Sequence, residues 1–400
     1  MKSEEVITLY KNYVMPTYVQ TPLVLSKGKG AYVWDCEGRA YLDFFPGWAV
    51  SGLGHCHPKV VRAIRKQSGT IIHVSNNYLS ELQGRLAELI IKSSFDGKVF
   101  FANSGAEANE GAIKLARRYG NPTKKYEIIT MEKSFHGRTM ACISATGQEK
   151  VKIGFEPLLE GFKIVPFNNL SAVQEAVSNK TIAILVEPIQ GEGGINIASR
   201  EYLLGLRKLC DEKDLLLIFD EVQTGIGRTG KLFCFQNFGV KPDIMTLAKS
   251  LGSGVPIGAI VASRRICDIL GPGSHATTFG GSPLVCSAGI ATFEAIKSER
   301  LLENVNVISK FLFSKLDKLK KKHPSLIKEI RGMGIMVGIE LNIEGEEIVK
   351  QCREEGLLIN CTQKNVLRIM PPLVVKRGEV AKAIKIFDNV LTQIEKDKRL

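Results

Sequence analysis

Two short apolar runs, one ending in a lysine and the other in an aspartate, give the sharpest chemical signal in this sequence. Ile244-Met245-Thr246-Leu247-Ala248 delivers Lys249 to a turn at Ser250-Leu251-Gly252, and Leu215-Leu216-Leu217-Ile218-Phe219 delivers Asp220. If both runs are strands, one presents an amine at its end and the other a carboxylate. An amine can bond to an aldehyde as a Schiff base, and a carboxylate can keep a pyridine nitrogen protonated. Pyridoxal phosphate chemistry needs that pair. An ordinary ion pair or two unrelated surface charges would use the same residue types, so the neighbouring segments decide.

Asn103-Ser104-Gly105-Ala106-Glu107 follows an apolar run and opens a helical pattern. Free backbone N–H groups, a glycine that permits close approach and the positive helix end suit a phosphate. Ser104 and Glu107 also spell a capping box, which stabilises any helix. Ser134-Phe135-His136-Gly137-Arg138-Thr139 gathers a flat ring, an imidazole and a guanidinium. The ring can stack on a planar cofactor, and the arginine can hold a carboxylate through two hydrogen bonds. Glu187-Pro188-Ile189-Gln190-Gly191-Glu192-Gly193-Gly194 sets two acids among glycines. Paired acids at a strand end also serve glycosidases, but the lysine and the phosphate-type loop favour the first chemistry. Arg368 stands alone in an apolar setting before Ile369-Met370-Pro371-Pro372.

Two motifs point elsewhere and are weaker. Gly225-Ile226-Gly227-Arg228-Thr229-Gly230 spells the dinucleotide fingerprint of an NAD-dependent oxidoreductase. It lies too far past its strand, precedes a poor helix start and lacks the acid expected further on. His55-Cys56-His57 invites a metal, yet adjacent positions converge poorly on one ion, and a tight turn before a helix explains them.

The elements that must position these residues alternate. Apolar runs at residues 99–102, 127–131, 162–165, 182–186, 215–219, 244–248 and 257–262 read as strands. Helical patterns lie between several of them, as at 107–118 and 200–212. This predicts an α/β fold: a mostly parallel seven-stranded sheet with helices on both faces and ligands at the carboxyl ends of the strands. Before it, residues 21–25 read as a strand, and residues 31–35 with 39–44 as a hairpin. After it come long helices at 284–298 and 301–323, short strands at 334–341, 357–359 and 366–370, and a last helix at 378–396. The termini are therefore expected to share a smaller α+β domain. The expected division is residues 1–55 as its N-terminal part, 56–290 as the large domain and 291–400 as the remainder of the small one.

Bulk composition narrows the function class. At 400 residues and 44% apolar content the chain can bury a large core. No apolar run approaches the ~20 residues of a membrane span, and the first residues carry acids where a secretory signal carries bases. Nine scattered cysteines without a CxxC pair read as reduced thiols, so a cytoplasmic location is expected. The net charge of +13 is spread along the chain, which suits anionic substrates and a phosphorylated cofactor better than nucleic acid.

In this order, GHCHP, NSGAEAN, FHGRT, VEPIQGEGG, FDEVQTGIGRTG, LAKSLGSGVPIGA, TTFGG and LRIMPPL resemble the class-III (subgroup II) PLP-dependent aminotransferases. The resemblance runs from about Tyr18 to Arg377 and is greatest to the acetylornithine enzymes. It implies the type I PLP fold and a homodimer whose sites lie between subunits. By the same resemblance, Lys249 carries the cofactor and moves the proton, and Asp220 pairs with the pyridine nitrogen. Gln223 approaches the ring oxygen, while Val222 and Phe135 cover the two ring faces beside His136. Ser104, Gly105 and Ala106 bind the phosphate, and Thr278 reaches it from the partner subunit. Arg368 grips an α-carboxylate, and Glu192 neutralises that arginine when an ω-amine donor binds. Arg138, with Tyr18 and Thr277, holds the distal carboxylate. No metal is implied. The expected reaction moves the δ-amino group of N2-acetylornithine to 2-oxoglutarate, a step of arginine biosynthesis. Ornithine, 4-aminobutyrate, succinyl-ornithine or a carrier-bound lysine precursor are alternative donors. A PLP-fold protein without catalysis is a further alternative, which the intact Lys249–Asp220 pair opposes. Two positions depart from the pattern: Trp48 stands where an aliphatic residue or tyrosine is usual, and Ser282 replaces an asparagine.

Overall fold

The computed structural model describes residues 2–398. A seven-stranded sheet forms its centre, with strands numbered here in chain order. They are β1 Gly97–Ala102, β2 Glu127–Met131, β3 Phe162–Val165, β4 Thr181–Val186, β5 Leu216–Asp220, β6 Ile244–Leu247 and β7 Gly258–Ser263. Across the sheet they run β1-β7-β6-β5-β4-β2-β3. β7 is antiparallel to both neighbours, and the remaining pairs are parallel.

The period of two along β5 explains why the sheet is covered on both faces. Leu216 and Ile218 enter one apolar cluster with Ala108, Ala112 and Ile113 of the Gly105–Gly120 helix. Leu217 and Phe219 enter the other, with Leu203, Leu206 and Leu209 of the Arg200–Lys213 helix. A strand buried on both sides is apolar along its buried length, as β4 is from Ile182 to Val186 and β5 from Leu216 to Phe219. The β5–β6 register sets Asp220 opposite Thr246, so the two strands end together.

The termini meet in a second sheet. Leu25–Lys29, Tyr32–Asp35 and Ala40–Asp43 continue into Leu357–Leu358, which pairs in parallel with the third strand. A further sheet joins Ile327–Met333, Met336–Leu341, Val366–Ile369 and Asn360–Thr362. Two expectations are corrected here. The strand expected at 21–25 begins only at Leu25, because Pro22, which lacks an N–H, interrupts the preceding segment. Ile327–Met333 is a strand absent from the sequence reading. Lys328 and Glu329 are exposed and only Ile327 is buried, so no apolar run marks it.

Candidate active site

The strand ends assemble the site. Asp220 closes β5, Lys249 lies just beyond β6, and Ser104 follows β1 at the start of a helix. Phe135 to Arg138 follow β2, and Glu187 to Glu192 follow β4. These strands run the same way, so their carboxyl ends share one edge, where α/β sheets bind ligands. A cavity of about 440 Å³ opens there, and Lys249 and Asp220 both line it. Ser104, Gly105, Ala106, Phe135, His136, Arg138, Glu192, Val222 and Gln223 line it too. Tyr18, Thr277, Thr278 and Arg368 do not. Tyr18 is 72% exposed; Thr278 is exposed as well. Thr277 accepts a hydrogen bond from Asn103 Nδ2 at 3.3 Å.

Asp220 is buried yet fully engaged. Its Oδ2 lies 2.8 Å from His136 Nδ1 and accepts from Asn109 Nδ2 at 2.8 Å, while Oδ1 accepts the Val222 N–H at 3.0 Å. Donors on both oxygens fix the carboxylate's orientation. Asn109 is itself held: Nδ2 also donates to the His136 carbonyl at 2.7 Å, and Oδ1 accepts from Thr246 at 2.8 Å. The motif NSGAEAN contained Asn109, but only the fold shows that it reaches under Asp220.

Lys249 adopts a left-handed φ of 47°, a conformation that non-glycine residues keep only where surroundings enforce it. Burial pushes its ammonium below the usual lysine range. Glu192 opposes that shift, Arg368 adds to it, and Asp220 and Glu187 oppose it. A depressed lysine is a better nucleophile and base near neutral pH.

The opposite end of the cavity suits an anion. Ser104 caps the helix by accepting the Glu107 N–H at 3.1 Å, but Glu107 accepts the Asn103 N–H at 2.9 Å, one residue before the cap, so only half of the expected capping box forms and the Glu107 carboxylate holds the loop that enters the helix. Gly105 and Ala106 lie in the first turn, where N–H groups have no helical partner. A Cβ on Gly105 would stand 2.7 Å from Val222 Cγ1, so a side chain there would fill the cradle. Gln223 Oε1 is buried without a hydrogen-bond partner, which leaves an acceptor for a ligand hydroxyl. An anion cradle, an anchored carboxylate, an unpaired amide and an amine together fit a phosphorylated pyridine aldehyde.

Arg368 lies behind the lining, 1% exposed. Nη1 donates to Glu192 Oε1 at 2.5 Å and to the Gly191 carbonyl at 3.3 Å, and Asn360 takes its Nε and Nη2. Its guanidinium carbon is 4.6 Å from the Phe45 ring and 5.5 Å from that of Trp48. Burial raises Glu192, but the Arg368 charge and hydrogen bond outweigh it and hold this carboxyl below the usual range. Glu187, noted in the sequence only as an acid among glycines, accepts the Phe135 N–H at 3.0 Å and the Gly191 N–H at 3.1 Å. Burial pushes its carboxyl up to about 7.

The competing motifs fold otherwise. Residues 225–230 form turns and open no helix, and Arg228 is buried, with Nη1 donating to the carbonyls of Met370 and Pro371. His55 pairs with Asp43 and His57 with Glu299, so the two rings point to different partners.

A parallel sheet with an amine, an anchored acid and an anion cradle at its carboxyl edge defines a PLP-dependent transferase. The chain belongs to the class-III aminotransferases, whose family profile matches residues 13–391, and pyridoxal phosphate is its cofactor. It is 56% identical to an acetylornithine aminotransferase of Caldanaerobacter subterraneus, across 97% of this chain and 99% of that protein. An acetylornithine aminotransferase of Methanocaldococcus jannaschii is 50% identical, across 99% and 100% of the two chains. Among solved structures, the ornithine aminotransferase of Toxoplasma gondii superposes with a TM-score of 0.95 at 33% identity, covering 100% of this chain and 96% of that one. The acetylornithine aminotransferase of Elizabethkingia anophelis gives 0.88 at 33% identity, covering 98% and 99%.

Proposed function

We propose that this enzyme moves the δ-amino group of N2-acetyl-L-ornithine to 2-oxoglutarate, within arginine biosynthesis. The observation that carries the reading is the identity of 56% and 50%, over nearly the whole length, to two proteins named for acetylornithine. Pyridoxal phosphate supplies an aldehyde that receives the amino group and a ring that draws electrons from the reacting carbon. The remaining work falls to side chains. Lys249 Nζ holds the cofactor covalently and, when free, takes and returns the proton of the donor's amine-bearing carbon. Asp220 keeps the ring nitrogen protonated, with His136 and Asn109 behind it. Phe135 and Val222 bracket the ring, Gln223 meets its hydroxyl, and Ser104, Gly105 and Ala106 receive the phosphate.

Arg138 and Arg368 are proposed to take the two carboxylates of 2-oxoglutarate. Arg368 cannot stay unpaired in the low-dielectric pocket when an ω-amine enters, because an uncompensated buried charge costs several kcal/mol. Glu192 therefore closes on it, as in the 2.5 Å pair, and opens for the keto acid.

A homodimer in the cytoplasm is proposed as well. Leu79, Tyr78 and Phe279 are exposed apolar residues, and Phe279 adjoins Thr278; a second copy would cover them and bring Thr278 to the neighbouring phosphate. Tyr18 and Thr277 are proposed as helpers of Arg138. The division of the chain at residues 55 and 290 into one large and one small domain is part of the same proposal. No helix among the described residues is long and apolar enough to cross a membrane.

Ornithine is the alternative donor to set against acetylornithine, the T. gondii neighbour being an ornithine aminotransferase. Single-turnover reactions of the PLP form with acetylornithine, ornithine, succinyl-ornithine and 4-aminobutyrate decide. Acetylornithine is expected to give the largest kcat/KM, and a larger value for another amine overturns the assignment.

A further inference from the structure

Arg368 has two kinds of partner, and the difference between them separates what must stay from what must move. Glu192 is charged, arrives from a glycine-rich turn and engages Arg368 at a single nitrogen, Nη1. Asn360 is neutral and lies directly across the sheet from Arg368 in the antiparallel pair of Asn360–Thr362 with Val366–Ile369. Residues opposite one another on such strands keep their Cβ atoms about 5 Å apart, so this contact is built into the register. The amide oxygen of Asn360 accepts from both Nε, at 2.9 Å, and Nη2. A guanidinium has only donors, which fixes the amide with its oxygen inward.

We infer that Asn360 is the permanent, uncharged anchor that lets Arg368 serve as an anion receptor, leaving Glu192 as the removable counter-charge. This inference rests on the proposed role of Arg368 toward substrate α-carboxylates. Three consequences follow from the geometry. With Asn360 on the Nε–Nη2 edge and the Gly191 carbonyl on Nη1, the guanidinium keeps its orientation toward the cavity-lining Glu192 position when that side chain leaves. An anchoring carboxylate would have neutralised the arginine permanently, whereas an amide holds it and leaves its charge available. A substrate carboxylate can take Nη1 and Nη2 together, where Glu192 takes only Nη1, so the substrate displaces a one-point contact with a two-point one. The backbone of the Glu192 turn is held meanwhile: its carbonyl accepts from Thr362 Oγ1 at 2.7 Å and Gln363 Nε2 at 2.9 Å. The strand that carries Asn360 thus fixes the main chain from which the Glu192 side chain swings.

The test separates the anchor from the latch. The PLP-loaded enzyme and its Asn360→Asp, Asn360→Ala, Glu192→Ala, Arg368→Ala and Asn360→Asp/Glu192→Ala variants are titrated with glutarate, a dicarboxylate that cannot react. Binding is read from tryptophan emission, because Trp48, one of two tryptophans, lies 5.5 Å from the Arg368 guanidinium. Both half-reactions are followed from cofactor absorbance. Asn360→Asp is expected to weaken glutarate roughly 10- to 100-fold, the worth of a charge-assisted contact, and to shift the ratio of specificity constants against glutamate by a similar factor. Asn360→Ala weakens glutarate less, since it loosens the guanidinium without neutralising it. Glu192→Ala impairs the ω-amine half-reaction, and adding Asn360→Asp restores it, because the new carboxylate supplies the missing counter-charge. Glutarate affinity equal to the parent's in both Asn360 variants overturns the anchor, as does failure of the double variant to recover the ω-amine reaction. Unchanged glutarate binding in Arg368→Ala overturns the underlying role of Arg368 instead. Loss of glutarate in that variant alone, with Asn360→Asp unaffected, refutes the anchor and spares the arginine.

Discussion

Gly105→Ala tests whether the cofactor cradle is as tight as it looks. The added Cβ would stand 2.7 Å from Val222 Cγ1 and 3.0 Å from Cγ2, against about 3.5–4.0 Å for carbons in contact. The overlap is therefore close to 1 Å, and valine, stiff at χ1, relieves it poorly by rotation. Val222 must shift, and it lines the cavity, so the displaced methyls enter the space proposed for the ring. Overpacking of this size costs about 1–3 kcal/mol, which at 1.4 kcal/mol per decade predicts a Kd for pyridoxal phosphate raised about 5- to 150-fold. Cofactor-free protein titrated with pyridoxal phosphate by calorimetry gives the number. A Gly105→Ala/Val222→Ala variant removes both clashing methyls and should recover most of the affinity. An affinity within two-fold of the parent for Gly105→Ala alone refutes the cradle reasoning.

Asn109→Ala strips one donor from Asp220 and leaves the His136 carbonyl and Thr246 hydroxyl without that partner. A buried charge-assisted bond is worth about 1.5–3 kcal/mol, so kcat should fall about 10- to 100-fold with a smaller change in KM; an unchanged kcat removes Asn109 from the machinery. His323, buried between Asp388 and Glu395, pins the C-terminal helix at 2.7 Å on each side. Burial raises both acids, but their hydrogen bonds to His323, Lys322 and Ser325 leave them below the usual range. Depressed folded values mean stabilisation that is present above the unfolded values near 4 and lost as pH falls below them. The Tm gap between the parent and Asp388→Asn should therefore be widest near pH 7 and close toward pH 3, and a gap independent of pH contradicts the linkage.

Much of this architecture could be read from the chain because a doubly covered sheet writes itself as apolar runs. All seven runs became strands, and their ends hold most of the residues singled out. What escaped depended on contacts far apart in sequence. Asn109 serves Asp220 across 111 residues, and no local pattern announces such a partnership. Asn360 meets Arg368 through strand register, which an unmarked short strand conceals. Ile327–Met333 hid its strand character because only Ile327 is buried and charged residues interrupt the apolar ones. Thr278 and Tyr18 lie outside the cavity, and their proposed roles depend on a second copy or a substrate.

Every role proposed for the site depends on a covalent bond between Lys249 Nζ and the cofactor, with Asp220 in the same cavity. Borohydride reduction of the PLP-loaded enzyme, followed by digestion and mass spectrometry, measures it directly. The added phosphopyridoxyl mass should sit on the peptide containing Lys249 and should vanish from the Lys249→Ala protein. The same mass on a different lysine in the parent enzyme would contradict the account.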